Sequence, residues 1–152
     1  MTSGRNMVER YLQAMKGPID WESVHELQHP DYVDEWPQSG ERTRGRENFR
    51  AILENWPGGI LDDSLARRRI VGAEDQWSVG GPVFGAFITP IRIVGSGDVY
   101  TWEGEVRYPT EEVWKIVGIV ELRDGKVAKT TEYFAPPFEA PEWRSQWVER
   151  ME

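Results

Sequence analysis

The hydrophobic positions of this chain change period near residue 60. Before that point they fall at helical spacing. Val8, Tyr11, Leu12 and Met15 stand at i, i+3, i+4 and i+7, which predicts an amphipathic helix stopped by Gly17 and Pro18. Asp20 is placed to cap a second, short helix through about Gln28, with Trp21, Val24 and Leu27 on its buried side. Pro30 disfavours helical geometry at His29 and should end the helix there. "DYVDEW" reads as a short strand before the turn "PQSG". Phe49, Ile52, Leu53 and Trp56 then return to helical spacing, so a third helix is expected from about Arg46 until "PGG".

Beyond residue 60 the texture is that of strands, expected at about 65–72, 84–94, 99–108, 112–122 and 127–134. Asp124-Gly125 in "RDGK" suits a two-residue type I′ hairpin loop. Regular pairing across that loop sets Leu122 opposite Val127, Val120 opposite Lys129 and Val117 opposite Glu132. One face then carries Trp114, Ile116, Val120, Leu122, Val127 and Tyr133. The other carries Val117, Ile119, Ala128, Thr130, Glu132 and Phe134. Both faces are largely apolar, so one should pack on the helices and the other on a second subunit. Trp102 joins the Glu132 face if the turn at Thr110-Glu111 has two residues, and a three-residue turn reverses it. Helices followed by an antiparallel sheet make an α+β domain, here a single one over residues 1–152 with a proline-led tail from about 135 that finishes as a short helix.

Composition narrows the partners. Of 152 residues 39% are hydrophobic and 29% charged, as in a folded globular domain. The net charge of −8 argues against nucleic acid or an anionic membrane as partner. With no cysteine, disulfides, thiol catalysis and Cys-ligated metals are excluded. Neither a signal peptide nor an apolar run of membrane-spanning length is visible, so a cytoplasmic location is expected. Eight tryptophans favour a deep apolar interior, an aromatic pocket or a subunit interface.

Four short motifs carry candidate chemistry. "HELQH" at 25–29 matches the HExxH pattern of zinc proteases. A zinc site needs a third ligand, and no motif around Glu35, Glu47 or Glu54 supplies one. Pro30 also follows the second histidine directly. The match reads as chance, with a zinc hydrolase as the remote alternative and no metal expected. "GSGD" at 95–98 lacks the strand-and-helix context of a nucleotide site and reads as a turn. "RRR" at 67–69 splits across two strand faces, and the arginines of "GERTRGRENF" suit salt bridges with nearby carboxylates. Glu132 is different. It lies mid-strand among apolar residues, where a carboxylate must be paired or protonated. Desolvation would raise its pKa towards what a general acid or base needs. Pairing with Lys115 is the plainer alternative.

The order of elements, with "VERYLQAM", "LQHPDYVDEWPQSGERTRGRENFRAI" and "VELRDGKVAKTTEYFAPPF", resembles the nuclear transport factor 2-like superfamily and within it the SnoaL-like and ketosteroid-isomerase-like branch. The likeness spans about Val8 to Phe138. It implies a strongly curved antiparallel sheet forming a cone, wrapped by three N-terminal helices around an apolar pocket, and a homodimer through the outer sheet face. In ketosteroid isomerases a first-helix tyrosine polarises the substrate carbonyl, and Tyr11 matches it. Their catalytic aspartate precedes a proline, where "DEWP" places Trp36, and their second acid falls near Val117. Limonene epoxide hydrolases carry an acid in the last strand, which Glu132 of "TEYF" matches. Their Arg-x-Asp on a neighbouring strand is not reproduced by Glu103 and Glu105.

The resulting expectation is a small-molecule protein with acid–base activity of the cyclase, isomerase or hydratase kind. Glu132 would be the general acid or base, with Tyr11 or His29 orienting the substrate. Tyr32, Trp36, Phe49, Trp56, Trp102, Val117, Ile119 and Phe134 would wall a site for an apolar or aromatic molecule, without metal or organic cofactor. The rival is a non-catalytic binding or dimerisation module on the same fold.

Overall fold

A computed structural model describes residues 3–56, 87–108 and 112–151. Three N-terminal helices are present among them. Helix α1, Gly4–Ala14, is capped by Ser3, whose side chain accepts from the Asn6 N–H. Helix α2, Trp21–Leu27, is capped by Asp20 through the Ser23 N–H. Helix α3 spans Arg46–Glu54. The strands are β1 Gln28–Trp36, β2 Glu41–Arg44, β3 Ile88–Ser96, β4 Val99–Arg107, β5 Val113–Arg123 and β6 Lys126–Ala135, and a 3-10 helix follows at Glu142–Trp147.

The six strands form one curved, open sheet in the order β2-β1-β6-β5-β4-β3. The core is built where α1, α2 and α3 lay Val8, Leu12, Val24 and Leu53 against Tyr32, Val106, Ile116, Val120 and Val127 of the sheet. α1 thus meets the expected face, and Gly17 lies at φ 107°, a conformation that suits glycine and ends the helix.

Four expectations need correction. The sheet is mixed rather than antiparallel, because β1 pairs parallel with β6, Asp34 beside Thr130. The two strands lie nearly a hundred residues apart in the chain, so no local pattern announces their pairing. β1 also begins at Gln28, which puts His29 in a strand. The segment before α3 forms β2, hairpinned to β1 across "PQSG" with Trp36 opposite Glu41. The arginine reading holds in part here, since Arg42 bridges Glu35 at 2.5 Å. The expected strand at 65–72, "RRR", and the start of the strand at 84 lie outside the described residues.

The fourth correction is the register of the last hairpin. Asp124 and Gly125 have φ of 54° and 72°, as a type I′ turn requires, and Leu122 does face Val127. One step later the ladder slips. Glu121 pairs with Lys129, so Ala128 is an extra residue on β6, a β-bulge. From there Val120 faces Thr130, Val117 faces Tyr133 and Gly118 faces Glu132. Unbroken alternation would have turned Lys129 into the core, where an ammonium group is costly. The bulge turns it outward, 2.9 Å from Glu35. Glu132 therefore joins Ile116, Gly118 and Val120 on the helix-packed face. Val117 and Ile119 stand on the other, with Tyr133.

Candidate functional site

Strand alternation brings Tyr32, Asp34 and Trp36 of β1 to the same face as Thr130, Glu132 and Phe134 of β6. Tyr32 and Asp34 are fully buried. A directional chain of hydrogen bonds runs through them. Gln28 Nε2 donates to the Tyr11 hydroxyl (2.9 Å), which donates to the Tyr32 hydroxyl (3.5 Å). Tyr32 in turn lies 2.5 Å from Thr130 Oγ1, and Thr130 donates to Asp34 Oδ1 (2.8 Å). With Thr130's proton committed to Asp34, the Tyr32 hydroxyl must be the donor between the first two.

The chain ends on two carboxyl groups. Asp34 Oδ2 is buried and has no hydrogen-bond donor, and the Glu132 side chain neighbours the Asp34 carboxyl. A proton kept by Asp34 and shared with Glu132 in a hydrogen bond would satisfy the orphaned oxygen. Burial pushes the Asp34 carboxyl well above the usual range, and the neighbouring Glu132 adds to the shift through charge and hydrogen bonding. Thr130 and Trp36 pull the other way. On Glu132 the indole N–H of Trp36 donates to Oε1 at 3.1 Å. Burial likewise raises the pKa of Tyr11 and Tyr32, so both stay neutral links.

Above the acid pair lies an aromatic cleft of about 710 Å³, lined by Trp36, Ile52, Trp56, Tyr108, Trp114 and Phe134, with Gln38 and Asn55 among its polar groups. Trp56 and Tyr108 stack at 5.6 Å, Tyr108 meets Trp114 at 5.1 Å, and Phe87 meets Trp56 edge-on at 5.2 Å. Burial, followed by the charge of Glu112, raises the Tyr108 phenol. Trp36, Ile52, Trp56 and Phe134 also line a smaller void of about 30 Å³ that Asp34, Glu132 and Phe49 share. That void has room for one or two waters. A second cleft of about 700 Å³ lies between α1 and α2, but it is more polar and holds no such pair.

The structure brings together Glu132, Trp36, Phe49, Trp56 and Phe134 from among the residues expected at the site. Tyr32 is a link of the hydrogen-bonded chain and packs edge-on against Phe49 at 5.2 Å. Tyr11 is also an internal link, with its proton directed to Tyr32. Trp102 shares the Glu132 face but belongs to the core: its indole covers Gly118, where an added Cβ would lie 2.3 Å from Nε1. Val117 and Ile119 are placed on the opposite face by the bulge and do not meet Glu132. His29 lies at the far end of β1, its Nε2 3.3 Å from Asp124 in the hairpin turn. His25 sits in α2, so the two histidines do not share a helix. Lys115, the plainer partner for Glu132, is bridged to Glu105 instead.

Sequence reasoning missed Asp34, Thr130, Gln28, Tyr108 and Trp114. For Asp34 a signal existed. It stands between Tyr32 and Trp36 at period two, so a strand that buries either aromatic must also bury the carboxyl. The unbulged register puts Trp114 on the sheet face that does not carry Glu132.

The model of the SnoaL-like domain matches residues 8–130. Among solved structures, an NTF-2 like protein of unknown function from Burkholderia xenovorans LB400 is 30% identical, with 98% of this chain and 95% of that one covered and a TM-score of 0.70. A Kribbella flavida DSM 17836 protein provisionally named a ketosteroid isomerase is 21% identical, with 98% and 90% covered and a TM-score of 0.73. A Sinorhizobium meliloti protein provisionally named a polyketide cyclase is 17% identical, with 84% and 94% covered and a TM-score of 0.50. No curated protein matches the chain.

Proposed function

The chain belongs to the SnoaL-like family, and from that premise we propose that it binds a small apolar or aromatic molecule and performs acid–base chemistry on it, of the cyclase, isomerase or hydratase kind. The observation that carries this reading is the orphaned Asp34 Oδ2, on a carboxyl that neighbours Glu132, beneath the aromatic cleft. A buried acid that keeps its proton places a donor beside a second carboxyl group. Glu132, half-buried and on the ligand side through Trp36 and Phe134, is the group that meets the substrate. Asp34 holds the shared proton, and the Thr130, Tyr32, Tyr11 and Gln28 chain fixes Asp34 in place. Tyr11 is then a positioning residue, not a carbonyl ligand.

The outer sheet face leaves Val94, Val99, Val117 and Tyr133 exposed, which supports association of two copies there. A strictly monomeric mass at working concentration would count against it.

The rival reading, a binding module without turnover, is favoured by one fact: the void beside the acids holds little more than a water. Native mass spectrometry of freshly purified protein identifies any co-purifying molecule, and wild type, Asp34→Asn and Glu132→Gln are then compared on it. The acid–base reading expects both variants to bind within roughly threefold of wild type while turnover falls by roughly 10²–10⁴-fold. Release of the molecule unchanged by wild type would leave the binding module as the function.

A further inference from the structure

The last strand runs into an arm whose aromatic side chains are left outside the core. Phe138, Trp143 and Trp147 are 80%, 74% and 72% exposed, and Val148 and Met151 are exposed with them. Large apolar side chains gathered on a surface mark an interaction site. The arm has a structure of its own. Pro136, Pro137 and Pro141 restrict its path, and Pro141 has polyproline geometry at φ −67° and ψ 141°. In the 3-10 helix Glu142–Trp147, Ser145 Oγ donates to Glu142 Oε1 at 3.3 Å and the Arg144 guanidinium lies 6.0 Å over the Trp143 ring. Pro136 lines the aromatic cleft, and among the described residues no later one does, so the arm leads away from it.

The outer sheet face offers a surface to match. Strand pairing sets Val94 beside Thr101, Thr101 beside Ile119 and Val117 beside Tyr133, which makes an apolar centre. Around it Glu35 pairs with Arg42 and Lys129, Glu121 with Lys129, Glu103 with Arg92 and Glu105 with Lys115. An apolar centre inside a polar rim is the anatomy of a protein interface. The ion pairs also favour a copy of the same chain as partner. A chain of net charge −8 repels its copies, and on this face each of those carboxylates is neutralised. Phe138, Trp143 and Trp147 each remove roughly 150–250 Å² from water when fully buried. Two exchanged arms and the face they cover thus reach the roughly 1,200–2,000 Å² of a stable interface.

We infer that two copies of this chain exchange C-terminal arms, Trp143 and Trp147 of each packing on Val117, Ile119 and Tyr133 of the other's outer sheet face. The prolines hold the arm extended, which carries its tryptophans to a neighbour rather than back over its own sheet. This inference rests on the association of two copies proposed above and adds the segment that secures it.

The test uses the full chain. Sedimentation velocity gives the dimer dissociation constant of wild type, of Trp143→Ser with Trp147→Ser, and of Val117→Lys, all changes at exposed positions. Both variants should weaken the dimer roughly tenfold or more. A second measurement leaves arm and face intact. The chain has no cysteine, so a nitroxide attached to Gln146→Cys is the one label it carries. Labelled protein is mixed with ¹⁵N wild type, and only contacts between copies then broaden the observed signals. The Val117, Ile119 and Tyr133 amides should broaden. If Val117→Lys dissociates the dimer while the arm variant stays within about twofold of wild type, face association stands and the exchanged arm is overturned. Broadening confined to Trp36 and Trp114 places the arm in the other copy's cleft and overturns the inference too, as does weakening by the arm variant alone. A wild type that stays monomeric removes both readings together.

Discussion

Replacing Asp34 by asparagine removes a titration while leaving the shape of the site. An asparagine there accepts from Thr130 through its oxygen, as Asp34 Oδ1 does at 2.8 Å, and its amide donates toward Glu132 where the shared proton sat. In wild type the folded state holds the Asp34 proton at pH values where the unfolded chain has released it, because burial and Glu132 raise the folded pKa. The folded state then binds more protons, so stability falls as pH rises from the ordinary carboxylate range to the raised pKa of Asp34. One proton corresponds to a slope of about 1.4 kcal/mol per pH unit across that window. Asp34→Asn should lose this decline and gain on wild type steadily as pH increases. Urea midpoints at half-unit pH steps measure it, with slopes m compared to verify a common unfolded state. Half-buried pairs on the outer face, such as Glu35 with Lys129, contribute equally to both proteins and cancel in the difference. Parallel stability profiles for the two proteins would refute the shared proton.

Three further predictions follow from single contacts. Thr130→Val takes away both the acceptor of Tyr32 and the donor to Asp34, leaving buried groups unmatched, and should lower unfolding stability by about 1–3 kcal/mol in urea titration. Gly118→Ala drives a methyl into the Trp102 indole, so thermal unfolding should report a loss of about 1–3 kcal/mol from overpacking. His29→Ala removes contacts to Asp31, Arg123 and Asp124, none of which lines the cleft, and affinity for a co-purifying molecule should be unchanged within about twofold by fluorescence titration; a larger loss would return His29 to the site.

What was legible in the chain was local. Helical spacing found α1, α2 and α3, and Asp124-Gly125 found the turn because both residues tolerate positive φ. The same local reading fixed on Glu132 and on the walls made by Trp36, Trp56 and Phe134. The acid pair was hidden by two non-local facts. Asp34 meets Glu132 only through the parallel pairing of β1 and β6, and nothing within either strand encodes it. The slip at Ala128 was encoded weakly, by Lys129, whose charge disagreed with the inward position that regular pairing gave it. Tyr11 looked available because its partners Gln28 and Tyr32 arrive from a strand that its own helix does not predict.

Because a single unpaired residue separates the turn from the acid, the chemistry of β6 depends on counting parity. Drawing Ala128 into a regular ladder would keep every letter of "TEYF" and still turn Tyr133 inward and Glu132 to the outer face, whereas deleting Ala128 together with the bulge would leave Glu132 inside. Residues of homologous strands at equal distance from the turn therefore correspond in space only when both chains carry the bulge. A one-residue gap placed carelessly in an alignment would exchange the reactive side of the strand for its solvent side. Gain or loss of the bulge at constant hairpin length is thus a route by which relatives could lose or acquire an interior acid with no change at the acidic position itself.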